Sequence, residues 1–173
     1  MPELVFSNGT FEDFDHLRSL QLAAGQIFRE YGMSEIASNP ATDIATFLAN
    51  YERPAILVAR HDTRIVGFAL TYALEDGCHL EQISVAPEFA RRGFGTKIVR
   101  YIIKLCCDRD DQQLTLTTFR AIPWNEPFYK KLGFRALTVD KLSVDLDAVW
   151  QEENATGLDM SQRIIMSLPI TAA

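Results

Sequence analysis

At 173 residues, 47% hydrophobic and 23% charged, the chain has the size and make-up of one globular domain spanning residues 1–173. Its net charge of −6 argues against a nucleic-acid partner, and Cys78, Cys106 and Cys107 are too few and too odd in number for a disulfide framework. No His or Cys spacing resembles a zinc site, no basic region followed by an apolar core opens the chain, and no apolar run reaches membrane length, so the expectation is a cytoplasmic protein with no metal and no membrane partner.

In chain order, Leu4 to Phe6 suits a short strand, and Phe11, Phe14, Leu17, Leu20, Leu22, Ile27 and Phe28 recur mainly at helical spacing, which predicts a helix from about Asp13 to Glu30 stopped by Gly32. Ser38-Asn39-Pro40 supplies a turn before a second helix over Ala41 to Asn50. Ile56 to Ala59 and Ile65 to Leu74 read as a hairpin closed by His61-Asp62-Thr63, and Glu75-Asp76-Gly77 turns the chain into a third strand, His79 to Val85. A helix over Gly95 to Arg109 follows. Its polar face carries Lys97, Arg100, Lys104 and Asp108, opposite an apolar face of Phe94, Ile98, Ile102, Leu105 and Cys106. Leu114 to Thr118 is then a strand parallel to the one before that helix. Trp124 to Phe134 holds a short helix stopped by Gly133 and leads into a further strand; Leu142 to Glu153 is helical and Arg163 to Leu168 returns as a last strand. Interleaved helices and strands of this kind make a mixed α/β domain with hairpins and one parallel crossover.

The junction between strand and crossover helix, Ile83-Ser84-Val85 through Arg91-Arg92-Gly93-Phe94-Gly95-Thr96, suits an anion. A helix N-terminus presents backbone N–H groups without intrahelical partners and a positive dipole end. Gly93 and Gly95 permit close approach, and Arg91 and Arg92 add charge. A dinucleotide fingerprint would need a glycine at Ile98 and a Walker loop one at Ala90, so neither applies.

Roughly thirty-five residues later comes Asn125, followed by Phe128-Tyr129-Lys130-Lys131-Leu132-Gly133-Phe134. The pair of motifs resembles the GNAT superfamily of acyl-CoA-dependent N-acetyltransferases, from about Ile56 to Phe134. Its cofactor loop, Q/R-x-x-G-x-G/A, places Gly93 and Gly95 at the glycine positions and Ala90 where the family carries Gln or Arg, a departure that removes a side-chain contact to phosphate. The resemblance implies a GNAT-like fold: a mostly antiparallel twisted sheet with a splayed parallel central strand pair and helices on both faces. It implies acetyl-CoA as co-substrate, with the backbone of Ile83, Ser84 and Val85 pairing with the pantetheine arm. Arg91, Arg92, Gly93, Phe94, Gly95 and Thr96 would wrap the pyrophosphate, and Asn125 and Phe128 would complete the cofactor site. Dimers are common in that family, so a homodimer is open to this chain.

Transfer of an acyl group to an amine needs a neutral nitrogen, a stabilised oxyanion and a proton for the departing thiolate. Glu81 and His79 alternate on one strand face just upstream of the loop and match places where family members carry a base; a solvated or salt-bridged carboxylate and an ordinary hydrogen-bonded histidine are the other readings of the two. Tyr129 matches the tyrosine that protonates the thiolate; packing through its ring is compatible with that role. Asn125 reads equally as a helix cap. The acceptor, a small-molecule or peptide amine, would be met by the first two helices, where Phe28, Tyr31 and Glu35 are candidates together with Trp124. Catalysis by direct transfer in a ternary complex is the leading expectation; a non-catalytic acyl-CoA-sensing or partner-binding module is the alternative, and a longer acyl donor a third.

Overall fold

The computed structural model of the protein describes residues 3–171. The elements run β1 (Val5–Asn8), α1 (Phe14–Gly25), α2 (Ser34–Ala37), α3 (Ile44–Asn50), β2 (Ala55–His61), β3 (Arg64–Leu74), β4 (Gly77–Val85), α4 (Phe94–Asp108), β5 (Gln113–Phe119), α5 (Glu126–Lys131), β6 (Arg135–Ala136), α6 (Val144–Ala155) and β7 (Arg163–Pro169). The seven strands form one mixed sheet in the order β1-β2-β3-β4-β5-β7-β6. Its one parallel ladder joins β4 to β5, Gly77–Leu80 against Gln113–Leu116. The chain groups into two compact units that divide after Tyr72 in β3, after Leu80 in β4 and after Ile102 in α4.

In the first unit β1 pairs antiparallel with β2, and β2 with β3 through a two-residue turn in which Asp62 takes φ 56°. The register slips at Ala59/Arg60, and that bulge is tied down: Arg60 Nη2 meets Asp13 Oδ1 at 2.8 Å while Asp13 also accepts from the Thr10 N–H at 2.9 Å, holding the start of α1. The expected first helix is shorter than its apolar pattern. It passes at Gly25 into a 3-10 turn over Gln26–Tyr31, which Gly32 closes at φ 73°. The change from 100° to 120° per residue throws Ile27 out of phase, and Leu22 is not at i+3 or i+4 from Leu17 or Leu20; only these last two are buried in α1. Phe11, counted with the apolar series, is 83% exposed. α3 begins at Ile44, three residues later than expected, because the Asp43 carboxylate accepts from the Ala45 and Thr46 N–H groups and fixes the cap there.

β3 carries a glycine amid β-branched and aromatic residues for a packing reason. A Cβ on Gly67 would stand 2.7 Å from the Ser84 carbonyl oxygen and 2.9 Å from Ile98 of α4. With a side chain at this position, α4 could not lie this close to the end of β4. The expected faces of α4 are observed: Phe94, Ile98, Ile102 and Cys106 are buried, Arg100, Lys104 and Asp108 exposed, and Lys104 pairs with Asp108 at 2.5 Å. Cys107, next to the buried Cys106, is half-buried.

In the second unit β5 pairs with β7 along its length, from Gln113↔Pro169 to Phe119↔Arg163, and β6 adds to the other edge of β7. α6 covers this sheet with Leu146 and Trp150 against Ile165. Gly77 opens β4 where a Cβ would collide with the Gln113 carbonyl oxygen at 2.2 Å, so the parallel ladder can start only at a glycine.

Candidate active site

In the first unit, β4 ends at Val85 and the Ala86 N–H donates to the Val66 carbonyl at 2.9 Å, so the loop leaves the sheet from a fixed point. A 3-10 turn over Pro87–Phe89 follows. Arg91 takes φ 57° and Gly93 φ 79° before α4 begins. A non-glycine residue in the left-handed region costs about 1–2 kcal/mol, so the turn at Arg91 is held by its surroundings. At Gly93 a Cβ would meet nothing within 4 Å; the glycine is there for its conformation. The Arg92 guanidinium lies 5.3 Å from the centroid of Phe89 and 5.5 Å from that of Phe94, both rings buried, which holds an exposed cation beside the first turn of α4. Gly95 and Thr96 are the next residues of that turn.

Along the end of β4, Ser84 is buried and Ile83 and Val85 half-buried. The Gln82 side-chain amide donates to the Ile83 carbonyl at 3.1 Å and to Ser84 Oγ at 2.9 Å. A ligand pairing with Ile83 must share that carbonyl with Gln82 or displace it. Neither Gln82 nor Gly67 was singled out from the sequence. Gly67 had a signal, a small residue inside a strand pattern; Gln82 had none. Glu81 is exposed to solvent.

In the second unit, Tyr129 on α5 is 5% exposed, its ring edge-on to Phe128 at 5.1 Å and to Phe134 at 5.5 Å. Burial pushes its phenol well above the ordinary value of 10, with the Arg163 cation pulling the other way. Arg163 itself is anchored by Glu153 at 2.9 and 3.0 Å, donates to Thr117 Oγ1 at 3.0 Å and sits 4.5 Å over the Phe119 ring. Asn125 occupies the cap position of α5, yet its side chain makes no capping bond, so capping does not explain its presence.

His79 lies in the core of the second unit. It is 1% exposed, and Nδ1 lies 2.8 Å from Thr115 Oγ1. The Thr115 hydroxyl donates to the Cys78 carbonyl at 3.3 Å, which makes Nδ1–H the donor to Thr115. Burial pushes the imidazole down to about 3, Asp145 opposing and Arg163 assisting. His79 joins β4 to β5 through Thr115.

A model of the acetyltransferase (GNAT) family matches residues 23–134. The chain belongs to the GNAT family. It is 29% identical over 127 residues to the [ribosomal protein bS18]-alanine N-acetyltransferase of Salmonella typhimurium, covering 73% of this chain and 79% of that protein. Its fold superposes on the ribosomal-protein-S18-alanine N-acetyltransferase of Escherichia coli with a TM-score of 0.70 at 19% identity, covering 99% of this chain and 96% of that one. A GNAT acetyltransferase from Elizabethkingia anophelis with acetyl-CoA bound gives 0.62 at 16% identity, over 96% and 97%.

One further cluster in this GNAT chain has metal-ligand character. Cys78, Cys106 and Asp111 offer atoms within 4.8 Å of one another. Arg109 donates to Asp111 Oδ2 at 2.7 Å and lies 3.5 Å from Cys106 Sγ. The neighbouring Cys78 thiol and burial push the Cys106 thiol far up, and Arg109 pairs with the Asp111 carboxylate. Among the described residues no helix is long and apolar enough to cross a membrane.

Proposed function

We propose that the protein transfers an acetyl group from acetyl-CoA to a primary amine by direct attack within a ternary complex. The observation that carries this reading is the β4–α4 loop, where Gly93 at φ 79° and the ring-mounted Arg92 prepare an anion site at a helix N-terminus. These residues fit a pyrophosphate: Arg91 to Thr96 would hold it through backbone N–H groups and two guanidiniums, and Ile83 to Val85 would hold the pantetheine arm as an added strand, with Asn125 and Phe128 contributing from the second motif. The cofactor supplies an activated acyl thioester.

Glu81, an exposed residue of β4, is the residue proposed to accept the amine proton, directly or through water. An alkylammonium of pKa near 10.4 costs about 4.6 kcal/mol to neutralise at pH 7, an α-ammonium near 7.7–8.0 only about 1 kcal/mol. The relative from Salmonella typhimurium is named for an alanine acceptor. A peptide α-amine is therefore the first acceptor class to test here, ahead of alkylamines. Tyr129 is proposed to donate a hydrogen bond to the sulfur as charge develops on it. Cys78, the one cysteine near the site in sequence, is 4% exposed and in contact with a second thiol, which disfavours a covalent acyl-enzyme. Three free thiols suit a reducing cytoplasm.

The loop assignment is tested by Gly93→Glu. A glutamate there must enter the left-handed region and sets a carboxylate against the phosphates. Acetyl-CoA at about 100 times its Kd stabilises the unsubstituted protein by roughly 2.7 kcal/mol, read as a rise in Tm, and the variant shows no rise. An equal rise in both would mean that the loop does not hold the cofactor.

A further inference from the structure

The ring of Phe89 is approached by two guanidiniums from different parts of the chain. Arg64, the first residue of β3, places its guanidinium 5.0 Å from the Phe89 centroid, and Arg92 places its own 5.3 Å from the same ring. Arg91 adjoins them in the loop. Glu88 is the carboxylate that answers Arg64, at 2.7 Å from Nη2. Two guanidiniums thus approach one ring, in a chain whose net charge is −6. Two guanidiniums each about 5 Å from the centre of one ring raise the local positive potential, which favours an anion beside them.

We propose that Arg64 and Arg92 form a second phosphate subsite, which takes the 3′-phosphomonoester on the ribose of coenzyme A. This rests on the cofactor reading above and adds a residue, Arg64, that neither the loop motif nor its resemblance marks. The placement is fixed from the backbone: Val66, two residues along β3 from Arg64, accepts the Ala86 N–H at the point where the loop leaves the sheet. Arg64 therefore stands at the rim of the α4 anion site, where a group joined to the pyrophosphate by a ribose can reach it. Glu88 engages one of five guanidinium N–H donors and orients the fork over the ring; the remaining edge is suited to a bidentate phosphate. The chemistry also separates the two phosphates. A pyrophosphate diester spreads single charges that helix N–H groups satisfy, whereas a phosphomonoester carries about −1.5 to −2 near pH 7 and calls for paired cations.

Titration calorimetry with coenzyme A and with 3′-dephospho-coenzyme A tests this without an acceptor amine. The unsubstituted protein binds coenzyme A about tenfold or more tightly than the dephospho form. Arg64→Gln weakens coenzyme A and narrows that ratio to about threefold or less, and Arg64→Lys, which keeps the charge and loses the fork, falls between. The Arg64 side chain is 65% exposed, so either variant should unfold at the temperature of the parent, which the same samples report. Equal affinity of the parent protein for the two ligands overturns the subsite. So does a variant that weakens both ligands equally, since Arg64 would then serve the pyrophosphate. Binding of neither ligand would contradict the cofactor reading itself.

Discussion

Replacing Tyr129 with phenylalanine lowers kcat by about 10²-fold and leaves the affinity for acetyl-CoA within about twofold. The ring is what packs: it meets Phe128 and Phe134 edge-on, and both contacts survive in the variant. The substitution keeps the ring and removes only the hydroxyl, so stability changes little beside the loss in rate. Burial raises the phenol above its ordinary value of 10, so it stays protonated through the working range. Passing that proton fully to a thiolate of pKa near 8.5 runs uphill by more than about 2 kcal/mol, which makes the hydroxyl a hydrogen-bond donor to the developing charge, with solvent completing the protonation. A rate loss with unchanged cofactor Kd is the mark of an interaction made in the transition state. Turnover equal to that of the parent would remove Tyr129 from the mechanism.

The second large effect is on stability. His79 has an ordinary value of 6.5 in the unfolded chain and about 3 in the fold, so folding favours the neutral ring. Its contribution is fully present above pH 6.5 and is lost as the pH falls from there toward 3, because the unfolded state takes up the proton first. Between pH 7 and pH 4 the loss is on the order of 3 kcal/mol, a large part of a typical folding free energy. Asp13 and Asp145 are held below 3.8, so their losses fall at lower pH and leave the window from 6.5 to 4.5 to the histidine. Urea unfolding across that window gives a falling midpoint for the parent and a nearly level one for His79→Gln, whatever the variant's stability at pH 7. Parallel slopes would show that His79 is not the group that titrates.

The order of strands and helices was legible because each follows from local rules: Gly32 and Gly133 as stops, the Asp62 turn, the apolar face of α4. The anion loop was legible for the same reason, glycine and arginine being visible in a run. What escaped reading depends on residues distant in sequence. The bulge at Arg60 is fixed by Asp13, and Gly67 serves a carbonyl on another strand. His79 looked like a base by alternation with Glu81, but periodicity gives a face and not a depth; Thr115 and the sheet around it set the depth. Arg64 sits beside a hairpin turn, where a charged residue is ordinary, and only Phe89 and Glu88 reveal its company with Arg92. Ala90, at the position where the motif has Gln or Arg, is exposed, and Arg64 and Arg92 both approach its neighbour Phe89.

The most direct measurement of the central claim follows free thiol and protein mass together, with acetyl-CoA present and peptides of free α-amine or a panel of alkylamines added. The account predicts coenzyme A release that requires an amine, a product heavier by one acetyl group, slower release by the Tyr129→Phe variant, and an unmodified protein when amine is left out. Stabilisation by acetyl-CoA with no coenzyme A released by any amine would contradict it and leave a sensing module; an acetylated protein formed without amine would contradict direct transfer.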